Sequence, residues 1–276
     1  MSSAALLPPQ GGSSINRRGA ERAPCCPRRH VLTMAGFAAC FVMEVSRNFS
    51  VVVIPMAKEF GWDHATVGAI FASSYYGYTP MQIPSGVMAH HFSRPTLQIF
   101  CCMMLLMMLH AVIPFAVRGS GDPRVLYALM VPLGVAQALL NPSLHKLISS
   151  WAPVSERTRV HNSIYAGQNA GKMVSAFTSA LIAAGSRTSW AWVFWSNAIL
   201  CGTFGIAWIC IVSDSPARDP RISAAERDFI RLSIHADAGA PSAEEHPSFF
   251  SLPWRQILSS LPFWAIVINH FAYDCE

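Results

Sequence analysis

Apolar residues come in long, nearly unbroken runs, at about 31–54, 64–89, 96–117, 125–150, 161–185 and 190–212, and a seventh opens near 256. A bilayer core of about 30 Å takes roughly 20 helical residues, so each of the first six runs is long enough to cross it. The pattern predicts six membrane-spanning helices and the start of another. Runs 2 and 5 are weakly hydrophobic and rich in Gly, Ser and Ala, the composition of helices buried among other helices. Composition agrees: 52% of the 276 residues are hydrophobic and 13% charged, against about 25% charged in soluble domains. The predicted class is an all-α, multi-pass integral membrane protein with membrane lipid around it.

Spacing adds an internal repeat. "GAIFAS" (68–73) opens run 2 and "NSIYAG" (162–167) opens run 5, 94 positions later, and the same offset carries Val31 to Val125 and Thr96 to Trp190. Runs 1–3 and 4–6 therefore read as a triplet repeated with inverted topology, an arrangement found in secondary transporters. The predicted organisation is a basic segment over 1–30, a six-span bundle over 31–212, a cytoplasmic linker over 213–255 and the opening of a second bundle over 256–276. Within the linker, Ser223 with Glu226 three residues on has the capping-box pattern of a helix start.

Charge sets the orientation. With the amino terminus on the cytoplasmic side, thirteen of the 20 Lys and Arg residues fall on that side, four on the other and three within spans, which satisfies the positive-inside rule. Residues 1–30 read either as a disordered cytosolic tail or as an organelle transit segment, being basic, serine-containing and poor in acids. Cys25 and Cys26 read as unmodified thiols or as palmitoylation sites; the remaining six cysteines lie mostly in apolar runs and have no metal-ligand spacing. Asn48-Phe49-Ser50 matches a glycosylation sequon but falls inside run 1, where it should stay unmodified.

Three charges lie at membrane depth. Counting from Val31, Glu44 sits roughly 20 Å and Arg47 roughly 24 Å into the core, and Lys172 in run 5 about 15 Å in. Each costs at least about 3 kcal/mol there unless it is paired or faces a wet cavity. Glu44 and Arg47 are three apart, on one helix face, so Glu44 pairs with Arg47 or with Lys172, and Lys172 should face an acid or a cavity. Tyr75, Tyr76 and Tyr78 either offer hydroxyls to the same cavity or form an aromatic packing cluster. No Ser/His/Asp, metal or nucleotide motif is visible and the histidines are dispersed, which speaks against an enzyme and against any cofactor. A seven-helix receptor, with its amino terminus outside, contradicts the charge count.

Four stretches in one order carry a resemblance: "RNFSVVVIPMAKEFGWDHATVGAIFASSYYGY", "WAPVSERTR", "SDSPARDPRISAAERDFI" and "PWRQILSSLPFWAIVINHFAYD". From about Val31 to Tyr273 the chain resembles the amino-terminal half of a major facilitator superfamily carrier of the anion:cation symporter family, which includes sodium/phosphate cotransporters, sialin, and vesicular glutamate and plastid phosphate transporters. The resemblance implies two six-helix bundles rocking about a site near the bilayer midplane, with a small anionic solute such as phosphate or an organic anion moved together with sodium or protons. It implies no nucleic-acid partner. It also implies a carboxy-terminal bundle as partner, without which this half should not transport unless two copies pair. In this scheme Arg47 is the anion's counter-charge, with Gln137, Lys172, Tyr75 and Tyr78 as further cavity groups. The membrane, whether plastid, vesicular or plasma, is not distinguished.

The chain also departs from the family pattern. The family's first-span arginine stands two before the asparagine; here Ser46 holds that place and Arg47 follows it, a rotation of about 100° on a helix. That leaves open whether Arg47 faces the cavity. In the fourth span Met130 and Gln137 stand where the family has arginine and glutamate, and Gln137 cannot carry a proton. Between spans 2 and 3 the family's Gly-x-x-x-Asp-Arg-x-Gly becomes Gly86 with His90, His91 and Ser93, followed by Arg94. These residues would form a weakened or pH-dependent latch between halves, or be merely solvated. Glu156, Arg157 and Arg159 keep the family motif after span 4 and suit a cytoplasmic charge network, and Gly167 and Gly171 keep close-packing positions. The alternative to a carrier is a truncated or decayed, non-transporting member of the same family.

Overall fold

The computed structural model describes residues 27–47, 49–91, 94–183, 190–237 and 254–274, and among them it contains helices and no strand. The first span comprises α1 (Arg28–Arg47) and α2 (Phe49–Phe60), and the second is α3 (His64–His91). Then come α4 (Pro95–Ser120), the pair α5 (Pro123–Ala138) and α6 (Leu140–Trp151), α7 (Arg157–Ala183) and α8 (Trp190–Ile211). α9 (Ala224–Asp237) lies in the linker, and α10 (Trp254–Leu258) and α11 (Leu261–Asp274) follow it. By length and composition, Arg28–Phe60, Pro95–Ser120, Pro123–Trp151 and Trp190–Ile211 qualify as membrane spans among the described residues. α3 and α7 are as long, but they are the two weakly apolar runs of the sequence.

Local chemistry sets the boundaries. Gly121, at φ 64°, closes α4 with its N–H on the Val117 carbonyl at 2.9 Å, the left-handed stop that glycine adopts without a Cβ penalty. Asp122 then caps α5 by accepting from the Arg124 N–H at 2.8 Å, with Pro123 at the first helical position. Asp63 does the same for α3 through the Thr66 N–H at 2.9 Å. The cysteines at 25, 26 and 275, the sequon's Asn48, Ser93 and most of the basic amino-terminal segment lie outside the described residues.

The three most extensive helix contacts are α1 with α7, α3 with α5, and α4 with α8. The 94-residue offset exchanges spans 1 and 4, 2 and 5, and 3 and 6. It therefore maps the first of these contacts onto the second and the third onto itself. The inverted repeat read from spacing is thus a pseudo-twofold in the packing. Glycines carry it: a Cβ on Gly77 would strike the Val131 carbonyl, one on Gly134 the Ser74 carbonyl, and one on Gly167 the Phe37 carbonyl. Each obstacle is backbone, so these helices touch main chain to main chain.

At the end where α1 begins, the segment after α8 is bound tightly to the bundle. Asp219, buried, accepts from Arg28 Nη2 at 2.9 Å and from the Arg221 backbone N–H at 2.9 Å. Both arginines reach on to the last carbonyls of α8: Arg28 to Ile211 at 2.7 Å and Arg221 to Cys210 and Ile211 at 3.0 and 2.9 Å. Those carbonyls have no partner within their own helix. The Glu226 backbone N–H donates to the Ser223 hydroxyl oxygen at 3.2 Å, as the capping box requires. Its carboxylate, however, accepts the backbone N–H groups of Arg28 and Arg29 at 3.0 Å each, so it caps α1 rather than its own helix.

Candidate functional site

Midway along Arg28–Phe60, α1 brings Ser46 and Arg47 to a cavity of about 210 Å³ enclosed by five of the six spans. α3 contributes Ser74, Tyr75 and Tyr78, α4 His110, α5 Met130 and Gln137, and α8 Phe194 and Asn197. Apolar walls (Val52, Ile70, Leu133, Val193) surround this handful of polar groups, the usual makeup of a small-solute site.

Arg47 is the cavity's cation. Its Nη1 lies 3.2 Å from Glu44 Oε1 and its guanidinium 5.3 Å from the centre of the Tyr78 ring. The side chain of Glu44 is 6% exposed and that of Arg47 29%, so the acid is enclosed by protein while the base opens onto the cavity. α7 covers the acid: a Cβ on Gly171 would come within 2.9 Å of the Glu44 Cβ. Neighbouring helices also hold the main chain before Arg47. The Val45 carbonyl accepts from Ser175 Oγ of α7 at 2.8 Å, and the Ser46 carbonyl lies 3.1 Å from His110 Nε2 of α4.

Of the residues expected at the site, Arg47, Gln137, Tyr75 and Tyr78 converge on one cavity. Arg47 faces it despite the one-residue shift, and Ser46, at the other register, lines it too. Lys172 is a correction: it is exposed and is not among the cavity's lining residues, and Glu44 pairs with Arg47 instead. The reason is rotational, because Gly171 occupies the face of α7 packed on α1 and one residue further turns about 100° away. Tyr76, 73% exposed, also points elsewhere.

The expected gating residues lie away from the cavity, toward the end where α1 begins. Glu156 pairs with Arg29 at 3.3 Å, Arg157 Nε is buried with no hydrogen-bond partner among the described residues, and Arg159 is exposed. Arg94 precedes α4 and borders a shallow depression with Asp214 and Arg218. His91 is exposed, His90 is described only through its backbone, and a Cβ on Gly86 would meet nothing within 4 Å. Sequence reasoning missed His110 and Asn197, although a polar side chain in mid-span was the same signal that singled out Lys172.

A family model described as Major Facilitator Superfamily matches residues 33–273. The chain is 31% identical to sialin of Homo sapiens over 291 residues, covering 92% of this chain and 55% of that protein. It is 30% identical to probable anion transporter 4, chloroplastic, of Oryza sativa subsp. japonica, covering 90% and 40%, and 28% identical to vesicular glutamate transporter 2 of Mus musculus, covering 91% and 46%. The chain thus spans about half the length of the curated relatives it matches. A solved bacterial homologue of the human lysosomal transporter Spinster, inward-facing and unoccupied, superposes with a TM-score of 0.58 at 15% identity over 72% of this chain and 46% of that one. That likeness shows the fold.

Proposed function

The chain belongs to the major facilitator superfamily, is an integral membrane protein, and from that premise we propose that it forms one bundle of a carrier for a small anion, such as phosphate or an organic acid, coupled to a proton or sodium gradient. One observation carries the reading: Arg47 opens onto an otherwise neutral-walled cavity inside the bundle, ringed by hydroxyl and amide groups. A guanidinium with an open side offers paired donors to a carboxylate or phosphate. Glu44 balances it while the cavity is empty, and an arriving anion takes a share of its donors. The printed names of the relatives, anion transporters among them, point the same way. Gly86, His90, His91 and Arg94 remain candidates for contact with a second bundle, which sequence reasoning expects opposite this one. Lys172 belongs with them: it sits on an exposed face of α7 beside Met173, Val174 and Phe177, where lipid would disfavour its charge.

The test is uptake of radiolabelled phosphate and glutamate into proteoliposomes under imposed proton and sodium gradients. The anion site lies within this bundle, and gradient-driven uptake is expected once a second bundle, or a second copy, completes the alternating-access path. A completed protein that moves only cations or neutral sugars would overturn it.

A further inference from the structure

His110 is 1% exposed, forms part of the cavity wall, and is placed between two backbone carbonyls. Its Nδ1 lies 2.7 Å from the Leu106 oxygen, one turn back in α4, and its Nε2 lies 3.1 Å from the Ser46 oxygen across on α1. A carbonyl oxygen only accepts, and a neutral imidazole has one N–H. In either neutral tautomer one ring nitrogen would therefore turn its lone pair toward an oxygen lone pair. The imidazolium, with two N–H donors, satisfies both contacts at once.

We propose that His110 is the proton-binding site of this cavity and that the cavity takes one proton together with one monovalent anion. This rests on the reading of the cavity as an anion site. The ionisable groups facing His110 are few. Arg47 on α1 lines the same cavity, paired with Glu44 behind it, Tyr75 and Tyr78 stand on α3 across the cavity, and Cys201 of α8 lies beside Ser46. α5 presents Gln137 and Met130, which exchange no proton. Arg47 and Glu44 cancel, so the charge of the site is that of His110: zero when neutral, plus one when protonated. Both the empty, unprotonated site and the site holding one proton and one monovalent anion are then electrically neutral. Those are the two states a low-dielectric interior favours, since an uncompensated charge there is expensive. Dihydrogen phosphate or a singly charged carboxylate meets the requirement; a divalent anion leaves a negative charge behind.

Geometry also says which proton moves. The Nδ1–H is held by the shorter contact within its own helix, so the exchangeable proton is on Nε2, passing between cavity water and the ring. Its loss places the Nε2 lone pair against the Ser46 carbonyl, the residue next to Arg47, and weakens the tie between α4 and α1 at the anion's counter-charge.

The experiment is nitrogen-15 NMR of histidine-labelled protein in lipid nanodiscs, across pH, with and without inorganic phosphate or glutamate. The His110 signal is identified by its absence in H110Q and H110N and by its displacement in F194L, whose ring centre is 6.0 Å away; the last identifies it even if the histidine variants fail to fold. We expect both ring nitrogens protonated at the acid end, loss of the Nε2 proton with Nδ1–H retained as pH rises, and a midpoint raised by one unit or more at saturating anion, a tenfold coupling. A single neutral tautomer throughout pH 5 to 8 would overturn the proton site. Anion binding seen by calorimetry with no movement of the midpoint would overturn the coupling while leaving the anion site standing. A His110 that titrates as expected while no anion binds at all would overturn the anion reading, and with it the coupling.

Discussion

Replacing Glu44 by Gln should strand Arg47 without its counter-ion. At the 3.2 Å separation of Nη1 and Oε1, two unit charges attract by about 5 kcal/mol at an effective dielectric of 20. Most of that offsets the desolvation of the enclosed carboxylate. Removing one partner of a fully buried pair costs about 3–5 kcal/mol, whereas an exposed pair contributes about 0–1. Arg47 is 29% exposed to the cavity and is also held over the Tyr78 ring, so its stranded charge is partly solvated. Between those limits we expect Glu44→Gln to destabilise the bundle by about 2 kcal/mol. Adding Arg47→Met should recover most of the loss, because no unpaired cation remains, whereas adding Lys172→Met should recover none. The assay is a double-mutant cycle on reversible unfolding in mixed micelles. A coupling between positions 44 and 47 below about 0.5 kcal/mol, or recovery through position 172 instead, would refute the pairing.

Alanine at Gly77 or Gly134 should cost about 3 kcal/mol, because main chain blocks the new methyl, while Gly86→Ala, with open space, should be neutral or stabilising by up to about 1 kcal/mol; thermal melts decide, and equal effects at the three sites would contradict the close-contact account. Burial alone would raise the carboxyl of Asp219, but hydrogen bonds from the Arg221 main chain and from the Arg28 and Arg221 side chains outweigh it and hold it below the ordinary carboxylate range. Its stabilising contribution is therefore present above pH of about 4 and lost as pH falls through the depressed value; Asp219→Asn should remove that acid-dependent component of unfolding, and an unchanged pH profile would refute the assignment. A cysteine introduced at His235 should react with an impermeant thiol reagent from the cytoplasmic side, and labelling from the opposite side only would invert the topology.

Hydropathy alone locates the spans closely. The run at 190–212 becomes Trp190–Ile211 and that at 96–117 becomes Pro95–Ser120, because a bilayer-length apolar run has few other ways to satisfy its backbone. The pseudo-twofold is also visible in sequence, since a fixed offset survives where residue identity does not. The direction of a side chain is harder to read. Ser46 and Arg47 differ by one helical step, and whether either faces inward depends on which side of α1 receives α7, a matter decided by Gly167 and Gly171 about 120 residues later. The same dependence misplaces Lys172. The linker reads as a hydrophilic insert, yet Asp219 and Glu226 bind Arg28 and Arg29 from the other end of the chain. No local pattern announces that a helix's first two residues will be capped by another helix's glutamate. His110 escapes because its role depends on a carbonyl 64 positions away.

Anion carriage by this bundle stands or falls with Arg47 as the counter-charge of the bound anion. Equilibrium binding of radiolabelled glutamate and phosphate to the purified protein in nanodiscs, with Arg47→Gln and Arg47→Lys alongside, tests it most directly. Saturable binding weakened at least tenfold by Arg47→Gln, about 1.4 kcal/mol, and partly restored by Arg47→Lys is the expected result. Anion binding of unchanged affinity in Arg47→Gln, with the fold intact by thermal melt, would contradict it.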